Sequence, residues 1–186
     1  MANVDAAFGF VPIRHMSGNA PRTNKYTIAS GLAENIFTGD LVILINTGLL
    51  TPHTAGETNN IGVFAGVSYT ASDGSYVYSE YWPTGTVATD IVAYVYDDPD
   101  IIFSVQCDGT FANTDVGLNS NVTLTAGNTD FGYSKQEITV STFAVTNTLP
   151  VRILRLIDEP SNAVGANADV EVYINNHQLR ANTAGI

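Results

Sequence analysis

Short apolar runs separated by turn-forming residues, with almost no helical period between them, limit this chain more tightly than any other feature. Eight such runs occupy residues 25–29 (KYTIA), 41–45 (LVILI), 61–69 (IGVFAGVSY), 91–96 (IVAYVY), 101–105 (IIFSV), 137–145 (EITVSTFAV), 151–157 (VRILRLI) and 170–174 (VEVYI). They are rich in β-branched and aromatic residues, whose stiff side chains suit a pleated, half-buried surface. The expected fold is all-β, a small β-barrel or β-sandwich of about eight strands with little helix. One or two helical turns over 111–116, with Asp108 or Thr110 as a cap, are the best helical candidate.

The turns carry their own predictions. Asp97-Asp98-Pro99-Asp100 separates two strong runs and predicts a hairpin joining 91–96 to 101–105, with Pro99 fixing φ and the aspartates bonding backbone amides. Three carboxylates in four residues also invite a calcium reading, but the staggered oxygens and turn glycine of a calcium loop are missing. Segments 73–79 and 113–135 are rich in Gly and Asn and are expected to be exposed loops. The second is the one plausible internal boundary in a β-rich body of residues 25–186.

Residues 1–24 differ from that body. Phe8, Phe10, Val11, Ile13 and Met16 are apolar, yet Gly9, Pro12, Gly18 and Pro21 interrupt every regular period, so the segment is expected to be an extended N-terminal arm. Through residue 25 it carries Arg14, Arg22 and Lys25 against Asp5, a charge of +2, which leaves −13 on the remainder of a chain of net −11. Ordering about 20 residues costs on the order of 20–40 kcal/mol of backbone entropy, an amount that only contact with its own body, a neighbouring subunit or a partner can offset. A purely solvated tail would be polar rather than Phe-containing. Phe8, Phe10, Ile13 and Arg14 are the expected anchors, because aromatic and arginine side chains usually carry contact energy.

Charge and cysteine content exclude several classes. A nucleic-acid binder needs clustered Lys and Arg, and residues 26–186 hold only Lys135, Arg152, Arg155 and Arg180. An anionic membrane surface is disfavoured for the same reason, and neither a signal peptide nor an 18-residue apolar span is expected. Cys107 is the single cysteine, which rules out an intrachain disulfide and a thiolate zinc cluster and suits assembly in a reducing cytoplasm. It is expected to be a buried, inert thiol.

Catalytic patterns are equally sparse. His15, His53 and His177 are far apart in sequence, and no nucleophile elbow, HExxH, phosphate-binding glycine loop or CxxC occurs. The expectation is no enzyme, no cofactor and no metal; a hydrolase alternative would rest on His53. Tyr69, Tyr76, Tyr78, Tyr81 and Trp82 crowd into fourteen residues. Tyr76, Tyr78, Tyr81 and Trp82 are read as a cross-strand cluster or subunit interface, with a glycan platform as the alternative.

Three stretches carry a resemblance. The opening MANVDAAFGFVPIRHMSG, the stretch YVYDDPDIIFSVQCDGTF followed by Asp115-Val116-Gly117, and IDEPSNAVGANADVEVYINNHQL resemble head decoration, or capsid cement, proteins of marine and cyanobacterial tailed bacteriophages. The resemblance implies a virion structural protein that binds the outer surface of the lattice formed by the major capsid protein, often as a homotrimer, and stabilises the expanded head. It implies a β-rich fold whose arm reaches the shell or a neighbouring subunit. The alternatives are a glycan-binding module, or a tail or fibre subunit.

Overall fold

The structure is a computed structural model describing residues 3–180. It is all-β, built on two antiparallel sheets with open edges rather than a closed barrel. In chain order the strands of these sheets are β1 (Val11–His15), β2 (Asn24–Tyr26), β3 (Leu41–Leu44), β4 (Leu50–Pro52), β5 (Gly62–Ala71), β6 (Tyr76–Ser79), β7 (Ala88–Tyr96), β8 (Ile101–Gln106), β9 (Asn119–Ser120), β10 (Val151–Leu156) and β11 (Asp169–Ile174). One sheet runs β1-β8-β11-β10-β9; the other runs β2-β7-β5-β3-β4, with β6 paired to the far end of β5. No helix among the described residues is long and apolar enough to cross a membrane.

Period-two alternation explains why two cores form. Leu41 pairs with Val63, and Val63 pairs with Tyr96, so all three share one cross-strand row. That row packs into a core with Phe103, Val105, Ile153, Val170 and Val172 of the five-stranded sheet. Phe64 and Val95, the next row, turn the other way into a second core with Ile28, Ile36, Leu50 and Trp82. The second sheet is therefore buried on both faces over much of its length. Its strands accordingly read as nearly continuous apolar runs.

Several sequence expectations need correction. The 97–100 segment is not a hairpin turn: β7 and β8 belong to different sheets, and the segment carries the chain between them. Each strand already has its neighbours, and the Asp97 carboxylate accepts bonds from Asn24 Nδ2 at 2.9 Å and Tyr26 Oη at 2.6 Å on β2. The 137–145 run yields strand only at Glu137–Ile138 before a 3-10 turn at Val140–Thr142. Asp108 takes the Val140 N–H at 2.8 Å and Thr142 Oγ1 donates to the Thr139 carbonyl at 2.7 Å, so local side-chain bonds replace the ladder.

The 73–79 segment is a loop only at its tip; Tyr76–Ser79 forms β6 against β5. The 113–135 segment is also more than a loop. It supplies β9, the strand Val122–Thr123 and the buried Ser134. The anticipated helical turn is a single 3-10 turn, Asn113–Asp115, capped when the Asp115 carboxylate accepts the Ala112 N–H at 2.8 Å, not by Asp108 or Thr110.

Candidate docking face and polar cavity

The arm lies on its own body. Asn3 donates to the carbonyls of Ala163 and Ala166, each at 2.8 Å, and its Oδ1 accepts the Ala163 N–H. Gln106 receives the Ala6 N–H and donates to the Val4 carbonyl. A short strand forms within the arm through a partner: β1 pairs with β8, with a register shift between Pro12 and Arg14. The proline is tolerated because β1 is an edge strand whose missing N–H breaks no second ladder. Gly9 makes the close approach possible: at φ +74° it lies so near Ser134 that an added Cβ would sit 2.4 Å from that residue's Cβ.

This arrangement divides the expected anchors. Phe10 is 1% exposed and meets Phe103 edge-on at 6.4 Å, so it belongs to the protein's own core. Arg14 is occupied by the Glu171 carboxylate at 2.6 Å. Phe8 is half-buried, Ile13 is exposed, and both stay on the surface together with Val11. Two adjoining hollows of about 370 and 310 Å³ share Phe8, Val11 and Tyr133; Phe131 joins the first, and Pro12 and Tyr96 join the second.

The aromatic cluster is divided in the same way. Trp82 is fully buried and packs edge-on to Tyr69 at 5.4 Å, while Tyr81 is half-buried and stacked on Phe37 at 5.4 Å. Tyr76 and Tyr78 point outward, 71% and 60% exposed. Tyr78 lies 6.2 Å from Tyr94, two residues along β7 from Tyr96 and therefore on the same face. A row of tyrosines thus runs from the β5–β6 hairpin to the hollows beside the arm. Sequence reasoning missed Val11, Phe131 and Tyr133 as members of this face. Two aromatics flanking Gly132 in an otherwise polar loop were the available signal.

A separate cavity of about 380 Å³ opens beside Asp40 and His53, walled by Phe37, Pro52 and Leu124. Asp40 caps its own turn by accepting the Phe37 N–H at 2.8 Å, and burial pushes its carboxyl up to about 6. His53 Nδ1 bonds Asn60 Oδ1 at 2.8 Å, and burial holds the ring below the ordinary histidine range. No nucleophile stands in hydrogen-bond contact with His53 among the described residues.

The other sequence candidates are structural. His177 lies where the chain closes after β11, bridged to Asn60 and followed by Gln178, which exchanges bonds with Leu44. Burial pushes its ring down to about 4. Cys107 is buried and its thiol is pushed up to about 12, which leaves no thiolate at neutral pH. His15, Asp98 and Asp100 bring ligand atoms within 4.8 Å of one another. The Ser17 N–H donates to His15 Nδ1, however, so Nε2 carries the proton and faces Asp98, while Asp100 is bound by Arg180 at 2.8 Å. That donor set suits a hydrogen-bonded corner better than a cation.

Comparison with known protein families, curated proteins and solved structures finds no match.

Proposed function

We propose that this chain is a virion structural protein, a capsid decoration protein that seats its arm-and-tyrosine face on the outer surface of the major capsid lattice and stabilises the expanded head. The observation that carries the reading is the outward apolar face itself: Phe8, Val11, Phe131, Tyr133 and the Tyr78–Tyr94–Tyr96 row surround two hollows. Apolar surface of this kind on a strongly acidic chain supports a contact with another macromolecule. The resemblance of the opening, middle and closing stretches to capsid cement proteins supports the major capsid protein as that partner.

A ligand that binds only the expanded shell stabilises it by linkage, and each bound copy adds to the total. A homotrimer would present three such faces at once, so weak individual contacts gain from effective concentration. The arm acts here as a fixed part of the docking face, not as a free tether. Removing residues 2–24 would therefore take Phe10 and β1 from the fold, and the informative variants are the outward ones.

Purified expanded heads incubated with wild-type protein should bind it at hundreds of copies per particle, and Phe8→Ala with Tyr133→Ala should abolish attachment while the thermal midpoint holds. Retained occupancy in that double variant removes this face from the mechanism. A stoichiometry of a few copies per virion would move the protein to the tail. Trp82 is buried, so the glycan alternative rests on Tyr76 and Tyr78. A glycan array on which Tyr78→Ala and wild type are equally blank retires it.

A further inference from the structure

Asp40 is a buried carboxylate, 5% exposed, and none of the ion pairs among the described residues includes it. The Phe37 N–H and the Ser134 hydroxyl compensate it in part. A charge this deeply buried without a counter-ion is costly, and its carboxyl is pushed toward the neutral form for that reason. No lysine or arginine stands among the described residues that line the cavity beside it, whereas Glu34 does, so the formal charges at the lining are acidic.

His53 is a second, independent pointer. It is 6% exposed, and an amide oxygen such as Asn60 Oδ1 can only accept, so the ring donates through Nδ1. The neutral ring then carries a lone pair on Nε2, which meets no hydrogen-bond donor among the described residues and belongs to a residue lining the cavity. Two residues with acceptor atoms, each more than nine-tenths buried, thus line one cavity.

The walls identify what shape of donor would fit. Phe37, Pro52 and Leu124 are apolar and suit an alkyl stem, with the acceptors at its end. We infer that this cavity is a binding site for an organic ammonium group on a short alkyl stem, which donates to the Asp40 carboxylate and to His53 Nε2 while Glu34 adds attraction from the lining. A free alkylamine and the lysine side chain of a partner present the same chemistry. The inference concerns the isolated chain, and only the choice between these two sources draws on the docking reading above.

The test is a titration of the full-length, histidine-labelled protein at neutral pH with n-butylammonium chloride, followed by the NMR signals of the His53 ring. Butyrate and n-butanol serve as anionic and uncharged matches. Butylammonium should give a saturable shift, butyrate none, and butanol one at least about tenfold weaker, the cost of losing one charge-assisted bond. Asp40→Asn should weaken the amine about tenfold. Glu34→Gln, at an exposed position, should weaken it about threefold with an unchanged thermal midpoint. Absence of a saturable shift with butylammonium, or an equal response to butanol, overturns the proposal. Once the amine site is seen, displacement of the protein from shells by butylammonium assigns the partner's lysine as the occupant; undiminished attachment assigns a free amine.

Discussion

At the scale of single residues, Asp40 has the clearest energetic signature. Burial pushes its carboxyl up to about 6 in the fold from an ordinary 3.8, so the folded state holds the proton more tightly. Its stabilising contribution is complete below 3.8, declines as the pH rises and is gone above about 6, a swing on the order of 3 kcal/mol. Asp40→Asn keeps an acceptor for the Phe37 N–H and removes the buried charge. The variant should have a higher urea midpoint than wild type at pH 8, an advantage that vanishes by pH 3.5, read from denaturation curves across that range. His177 opposes Asp40: its contribution is complete above 6.5 and is lost as the pH falls through about 4. Gly62 has a steric role, because an added Cβ would lie 2.2 Å from the Tyr96 carbonyl oxygen, where backbone cannot yield. Gly62→Ala should cost about 1–3 kcal/mol in chemical denaturation. None of this was legible from type alone: Phe8 and Phe10 look alike in sequence, and only the docking of Gly9 on Ser134 separates surface from core.

At the scale of elements, legibility followed chain-local content. The runs at 41–45, 91–96, 101–105, 151–157 and 170–174 all contain strands, because β-branched density is a local property. The weak strands β1, β6 and β9 were missed, since each exists only through its partner: β1 through β8, β6 through β5 and β9 through β10. The 97–100 crossing was misread as a hairpin for a related reason. Acidic turn residues mark a change of direction but not which sheet receives the next strand. The arm yields a prediction of its own. Phe10→Ala should lose about 3–5 kcal/mol of stability by thermal or urea melt, as core aromatics do. Phe8→Ala should lose less than about 1 kcal/mol, since it empties a surface hollow rather than the core.

At the scale of the whole molecule, a net charge of −11 meets a surface poor in compensating cations. Repulsion among these carboxylates should be screened by salt, so the urea midpoint should rise as sodium chloride goes from a few millimolar to physiological strength. Attachment through an apolar face should survive that same increase. The all-β class was legible because it depends on averages over many runs, whereas the proposed docking face was not, since it joins residues 8–12, 78–96 and 131–133 across two sheets. The bonds that tie Asn3 to Ala163 and Ala166 span 160 and 163 residues. During synthesis Asn3 therefore leaves the ribosome long before the carbonyls it bonds, whereas β1 can seat as soon as β8 has emerged. Seating of this stretch is thus completed in two stages, and a product truncated before residue 101 would carry its greasy residues 8–13 unsheltered.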